Sequence, residues 1–142
     1  MWENYLDICK RYFKNAKIAI DSFHVMKMIN NALDRIRISV MQKYNLKTEN
    51  IESNNPFYYV LKKYKYYLLK EIDDIPDKRF YNLKLKMWFN KHSIIKYMLD
   101  INEDLSKAYS LVSKYREFNR ACSFKKAREE LEILIYQLGK NI

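Results

Sequence analysis

Lys17-Ile18-Ala19-Ile20-Asp21-Ser22-Phe23-His24-Val25-Met26-Lys27 is the stretch on which the fold turns. Its first four residues are short, apolar and partly β-branched, as in a buried strand. Asp21 ends that run, and Ser22 is a capping residue that opens an amphipathic helix. A strand that delivers a carboxylate at its C-terminal end can present an oxygen ligand to Mg²⁺, which takes only a few ligands from protein. The same carboxylate would also favour the positive end of the helix dipole with no metal present. Val25, Ile29, Ala32, Leu33, Ile36 and Val40 then form one apolar stripe, with Lys27, Asp34, Arg35 and Arg37 mostly away from it.

Outward from this stretch the chain reads as helices. Trp2, Tyr5, Leu6, Cys9 and Phe13 have helical spacing over residues 2–13, and Asn15 breaks it. Residues 44–55 are polar, a linker, and Asn55-Pro56 starts a helix over 57–70 that is dense in Tyr and Lys. Pro76 marks a break. The spacing of Phe80, Leu83, Met87 and Trp88 predicts a helix over 77–90, and 94–99 predicts another. Asn102 caps a helix carrying Leu105, Ala108, Tyr109, Val112 and Tyr115 inward. Ser123 caps the last, with Phe124, Ala127, Leu131, Leu134, Ile135 and Leu138, and Gly139 ends it. With 1 Gly and 2 Pro in 142 residues the composition disfavours an all-β protein. The expected fold is mainly α with a minor β element: an α/β corner over residues 1–43, then an all-helical remainder over 44–142.

The formal charge of +10 points to a polyanionic partner, nucleic acid before acidic lipid. Lys, Tyr, Asn and Ile share AT-rich codons, so part of that excess reflects composition. Lys62, Lys63, Lys65, Lys70 and Arg79 are the candidate phosphate contacts, extended by Lys84, Lys86 and Lys91, with Tyr side chains available to stack on an unpaired base. The same spacing also suits Tyr in a helical core under a solvating layer of Lys, and Trp88 is expected in that core. Other chemistries find little support. Gly139, the only glycine, rules out a phosphate-cradling Gly-rich loop. Cys9 and Cys122, and His24 and His92, lack zinc spacing. No apolar run approaches the ~18 residues of a membrane span, so a cytoplasmic protein is expected.

Asp21-Ser22-Phe23-His24-Val25-Met26-Lys27, followed by Asn31-Ala32-Leu33-Asp34-Arg35-Ile36-Arg37, resembles the second catalytic block of the ISL-three family of bacterial insertion-sequence transposases. The resemblance continues, in order, through Tyr66-Tyr67-Leu68-Leu69-Lys70, Asn82-Leu83-Lys84-Leu85, Asp104-Leu105-Ser106-Lys107-Ala108-Tyr109 and Tyr115-Arg116-Glu117-Phe118-Asn119. It implies a DDE enzyme with an RNase H-like core and a helical insertion. The reaction implied is Mg²⁺-dependent cleavage and transfer of DNA strands, with Asp21 as the second acidic metal ligand and His24 and Lys27 near the active site. On the resemblance the first acid would precede Met1 and the third would follow Ile142. The family's zinc-binding and helix-turn-helix parts are absent, and Asn4 stands where a proline is common. Residues 1–43 would be a partial core and 44–142 the insertion, an internal fragment inactive alone. The rival expectation is a stand-alone basic helical protein that binds DNA or a partner, such as transposase protomers or itself, and inhibits transposition.

Overall fold

A computed structural model describes residues 7, 8, 10–12, 22–45, 55–121, 129, 131–133, 135 and 136. The expected strand over 17–20, Asp21 and the cap Ser123 lie outside the described residues. Helix α1 (Ser22–Lys43) follows the expected amphipathic segment, then α2 (Pro56–Lys63), α3 (Lys65–Leu69), strands β1 (Phe80–Asn82) and β2 (Met87–Phe89), α4 (Lys91–Leu99) and α5 (Glu103–Ala121). The described residues at 7–12 and 129–136 are helical too.

Caps read from the sequence form as expected. The Asn55 side chain accepts from the Phe57 and Tyr58 amides ahead of Pro56 at the first turn. Asn102 accepts from the Leu105 amide at 3.0 Å. A capping box joins Asn90 and Ser93, which exchange bonds of 2.8 and 2.9 Å and start α4 at Lys91, ahead of the helix expected over 94–99.

Leu33 of α1, Val60 and Leu61 of α2, Leu68 of α3, Ile94 and Met98 of α4 and Leu105 of α5 are essentially sealed from solvent in one core. Each such side chain stabilises the fold by roughly 1.5–3 kcal/mol relative to exposure. From the α1 stripe, Leu33 and Val40 are buried, Ile29 and Ile36 pack against the core, and Ala32 is exposed.

Three cations were expected on the surface or left unassigned, and the structure bonds each to backbone carbonyls. Arg37, expected off the stripe, is buried and donates to the Leu61 carbonyl at 2.7 Å while its Nε holds Asp34. Residues 57–70 do not form one helix, because the chain breaks at Tyr64 (φ −104°, ψ 18°). Arg37 takes a carbonyl that the interrupted helix leaves unpaired. Arg116 of α5, 5% exposed, donates to the carbonyls of Leu68, Leu69 and Lys70 at the end of α3, and to Asn30 of α1 at 2.8 Å. The Lys91 ammonium bonds the Ile72 and Ile75 carbonyls, both at 3.0 Å, in the turn that follows. Helix ends leave such acceptors open, and a buried one must find a donor.

The largest departure from expectation is at 77–90. Residues there form no helix but an antiparallel hairpin with Phe80 opposite Phe89, Tyr81 opposite Trp88 and Asn82 opposite Met87. The part expected to be all helical therefore carries the two-stranded sheet. Phe80, Leu83, Met87 and Trp88 share helical spacing by coincidence. In the strands, Phe80 and Phe89 face the core while Tyr81 and Trp88 face out, and Trp88, expected in the core, is 61% exposed.

Replacing Arg116 strands three carbonyls, and one unmet buried acceptor costs about 1–3 kcal/mol. Arg116→Ala is expected to destabilise the protein by roughly 3 kcal/mol or more, read as a lower urea midpoint. The exposed Arg35→Ala should change stability by less than about 0.5 kcal/mol. Equal effects for the two would remove Arg116 from this role.

Candidate nucleic-acid interface

The basic and aromatic residues singled out by the sequence sort into pairs along α2, α3 and the hairpin. Lys62 lies over the Tyr58 ring at 5.6 Å. Lys63 donates to the Tyr59 hydroxyl at 2.9 Å and sits over the Tyr59 and Tyr64 rings. Lys70 donates to the Tyr66 hydroxyl at 3.0 Å and covers that ring at 5.2 Å. Apart from Lys63 over its neighbour Tyr64, each lysine follows its ring by four residues, with the ammonium held by the electron-rich face of the ring. Lys65 is exposed at the start of α3. Arg79 lies over Trp88 at 5.8 Å.

Lys84 is the one long-range addition: its ammonium reaches the Tyr59 ring at 4.8 Å from the hairpin tip. Two cations thus converge on one phenol. Burial works to raise the Tyr59 pKa, but the hydrogen bond and charge of Lys63 outweigh it and hold the phenol below its ordinary value. The same hydrogen bond raises Lys63 above the ordinary lysine value, so this ammonium keeps its charge. Lys63, Tyr59 and Lys84 come together; Lys70 and Arg79 form separate pairs with other rings.

Asn82 fixes the hairpin to this surface. Its side chain, buried at 3% exposure, donates to the Tyr64 hydroxyl at 3.0 Å and accepts from the Lys84 and Leu85 amides, each at 3.0 Å. An Asn that accepts from amides two and three residues on makes a turn without glycine. Lys86 closes that turn at φ 54°, a left-handed conformation uncommon for a residue with a Cβ. Tyr64 completes the joint by stacking on Phe80 at 5.4 Å. The helix break at Tyr64 and the hairpin therefore belong to one arrangement. Sequence reasoning missed it because the turn lacks glycine. The available signal was the aromatic-rich alternation Phe80, Tyr81, Asn82.

His24 and Lys27 lie on the first turns of α1, one helical turn apart and both exposed, with the Phe23 and His24 rings 6.0 Å apart. Asp21, the expected metal ligand just before them, lies outside the described residues. Among the described residues no group of three His, Cys, Asp or Glu is arranged to hold a metal ion. Of the acids near the hairpin, Asp73 pairs with Arg120 at 2.5 Å. No helix among the described residues is long and apolar enough to cross a membrane.

The model of the DDE-type ISL-three family, described as Transposase, matches residues 1–141. The chain belongs to that transposase family. No curated protein matches it, and no solved structure does.

Asn82→Ala removes the acceptor of two amides and the partner of a phenol. It should accelerate amide exchange across 80–89 and destabilise the fold by about 1–3 kcal/mol. Lys86→Gly, which suits the left-handed turn, should leave stability unchanged or raise it by up to about 1 kcal/mol. A large loss on Lys86→Gly would mean the turn is held in another way.

Proposed function

We propose that the chain serves a DNA transposase in strand cleavage and transfer at the ends of an insertion sequence. On this reading residues 1–43, with α1, belong to an RNase H-like catalytic core and residues 44–142 to an insertion that contacts DNA. Family membership over nearly the whole chain is the observation that carries it. Charge supports it: residues 78–99 contain Lys78, Arg79, Lys84, Lys86, Lys91 and Lys96 and no Asp or Glu. Such a run is an electrostatic footprint for a polyanion.

Asp21 is the residue assigned to the metal. Asp21 would hold Mg²⁺, which would supply Lewis-acid stabilisation of the charge that develops on the phosphodiester during strand cleavage. A carboxylate is the hard oxygen donor that this ion takes. One carboxylate is too few to hold it, so further acids must complete the site in the assembled enzyme, and this chain alone is expected to transfer no strands. His24 and Lys27, exposed one turn apart on the first turns of α1, are assigned near that centre. Lys62, Lys63, Lys65, Lys70 and Arg79 neutralise the backbone away from that centre. Holding Lys63 and Lys70 against tyrosines limits their rotamer freedom before DNA arrives, which lowers the ordering cost of contact.

Duplex binding by the chain, followed by fluorescence anisotropy, should weaken steeply between about 50 and 200 mM salt as phosphate contacts are screened. Absent or salt-independent binding would overturn the DNA assignment. In the complete transposase, Asp21→Asn should abolish strand transfer and leave duplex affinity unchanged. Retained transfer would remove Asp21 from the metal site.

A further inference from the structure

The outer face of the hairpin is apolar, rigid and uncovered among the described residues. Tyr81, 45% exposed, and Trp88, 61% exposed, form it, with Leu83 (83%) exposed at the turn and Met87 (49%), the cross-strand partner of Asn82, exposed on the opposite side. Scattered exposed apolar residues are ordinary, but here four occur within eight residues on two short strands and their turn. The core does not need them, since Phe80 and Phe89 pack inward against Tyr64, Tyr67 and Tyr97. Nor is the face soft: Asn82 ties the turn to Tyr64, and Lys91 holds the turn that leads into β1.

We infer that Trp88, with Tyr81 beside it, is a stacking platform for an unpaired base of a DNA strand. This deepens the DNA reading above and rests on it. The Tyr81 and Trp88 rings are cross-strand partners 5.4 Å apart, tilted by 57°. The Arg79 guanidinium over the indole orients the ring and sets a cation where the sugar–phosphate chain of a stacked nucleotide must pass. Lys86 at the tip adds a further exposed cation, while the Lys84 ammonium is drawn to the Tyr59 ring of α2. Charge complementarity therefore selects the occupant: an apolar protein surface would gain little from a rim of cations with no acid between residues 78 and 99. Aromatic rings set in a basic groove bind single strands with little sequence preference, because every base has a π-face. A fully paired duplex keeps its bases stacked and gains only from the cations.

The test compares a single-stranded oligonucleotide, a duplex with a short unpaired end and a blunt duplex, in the Trp2→Phe background so that Trp88 alone reports. The unpaired strands should quench its fluorescence and the blunt duplex should not. Trp88→Ala should weaken binding to unpaired DNA roughly five- to 150-fold and change blunt-duplex affinity less than about twofold. Trp88→Tyr preserves the cross-strand pair and should restore most of the loss. Lys84→Gln with Lys86→Gly should weaken all three DNAs and flatten the salt dependence. Melting curves confirm that each variant is folded. A chain that binds no DNA refutes the DNA assignment itself. Binding to unpaired DNA that Trp88→Ala leaves intact refutes only the platform. A Trp88→Ala chain that loses self-association but keeps its preference for unpaired DNA makes this face a contact between copies and overturns the inference.

Discussion

The Arg116 guanidinium against the end of α3 is the interaction on which the described structure most depends. The two terminal amino groups of its planar fork meet the Leu68, Leu69 and Lys70 carbonyls and the Asn30 side chain together, while the buried Nε has no hydrogen-bond partner among the described residues. Lysine has a single nitrogen and cannot span these acceptors. Burial pulls the guanidinium below its ordinary pKa, with the Tyr109 phenol and Glu71 opposing that shift. The group remains charged, and bonds from a charged donor are stronger than neutral ones. Through it α5 is joined to α1 and to the short helix between them, so three elements distant in sequence share one polar joint inside the apolar core.

That joint explains why a helix of only five residues persists. An isolated helix of that length has no independent stability in water. α3 survives because Arg37 takes a carbonyl before it, Arg116 takes three carbonyls at its end, and Leu68 is sealed in the core. The break at Tyr64 then frees its ring and hydroxyl to meet Phe80 and Asn82 of the hairpin. Chain reversal without glycine, helix interruption without proline and a left-handed lysine all trace to these polar anchors.

Much of the helical layout was legible because caps and apolar stripes are local signals. Asn55-Pro56, Asn102 and the Leu33 to Val40 stripe all stand where they were read. The hairpin was not legible, since Phe80, Leu83, Met87 and Trp88 fit a helical period as well as two strands. What separated the two readings is Asn82, whose bonding partners Tyr64, Lys84 and Leu85 exist only in the fold. Arg37 and Arg116 were opaque for a similar reason: a charged residue on a helix reads as solvated until a broken helix nearby supplies its carbonyls. The candidate site was legible in its residue types, basic beside aromatic, but not in its pairing. Lys84 reaches Tyr59 across 25 positions (84 minus 59). Asp21, the residue with the clearest chemical meaning in the sequence, falls outside the described residues.

The net charge of this chain divides into two populations with different consequences. Arg37, Arg116 and Lys91 bond carbonyls, and Arg120 is engaged by Asp73 and Glu71. These cations add to the long-range field that draws a polyanion in, but they have few donors left for it. Lys63, Lys70, Lys84 and Arg79 sit against rings instead of acids. A ring face steadies a cation without neutralising it, so these residues keep both charge and donors for phosphate. Counting lysines and arginines therefore overstates the contact surface, and the aromatic partners locate the cations that remain available. On the DNA reading proposed above, that distinction assigns the contacts to α2, α3 and the hairpin, where the one exposed tryptophan among the described residues also lies.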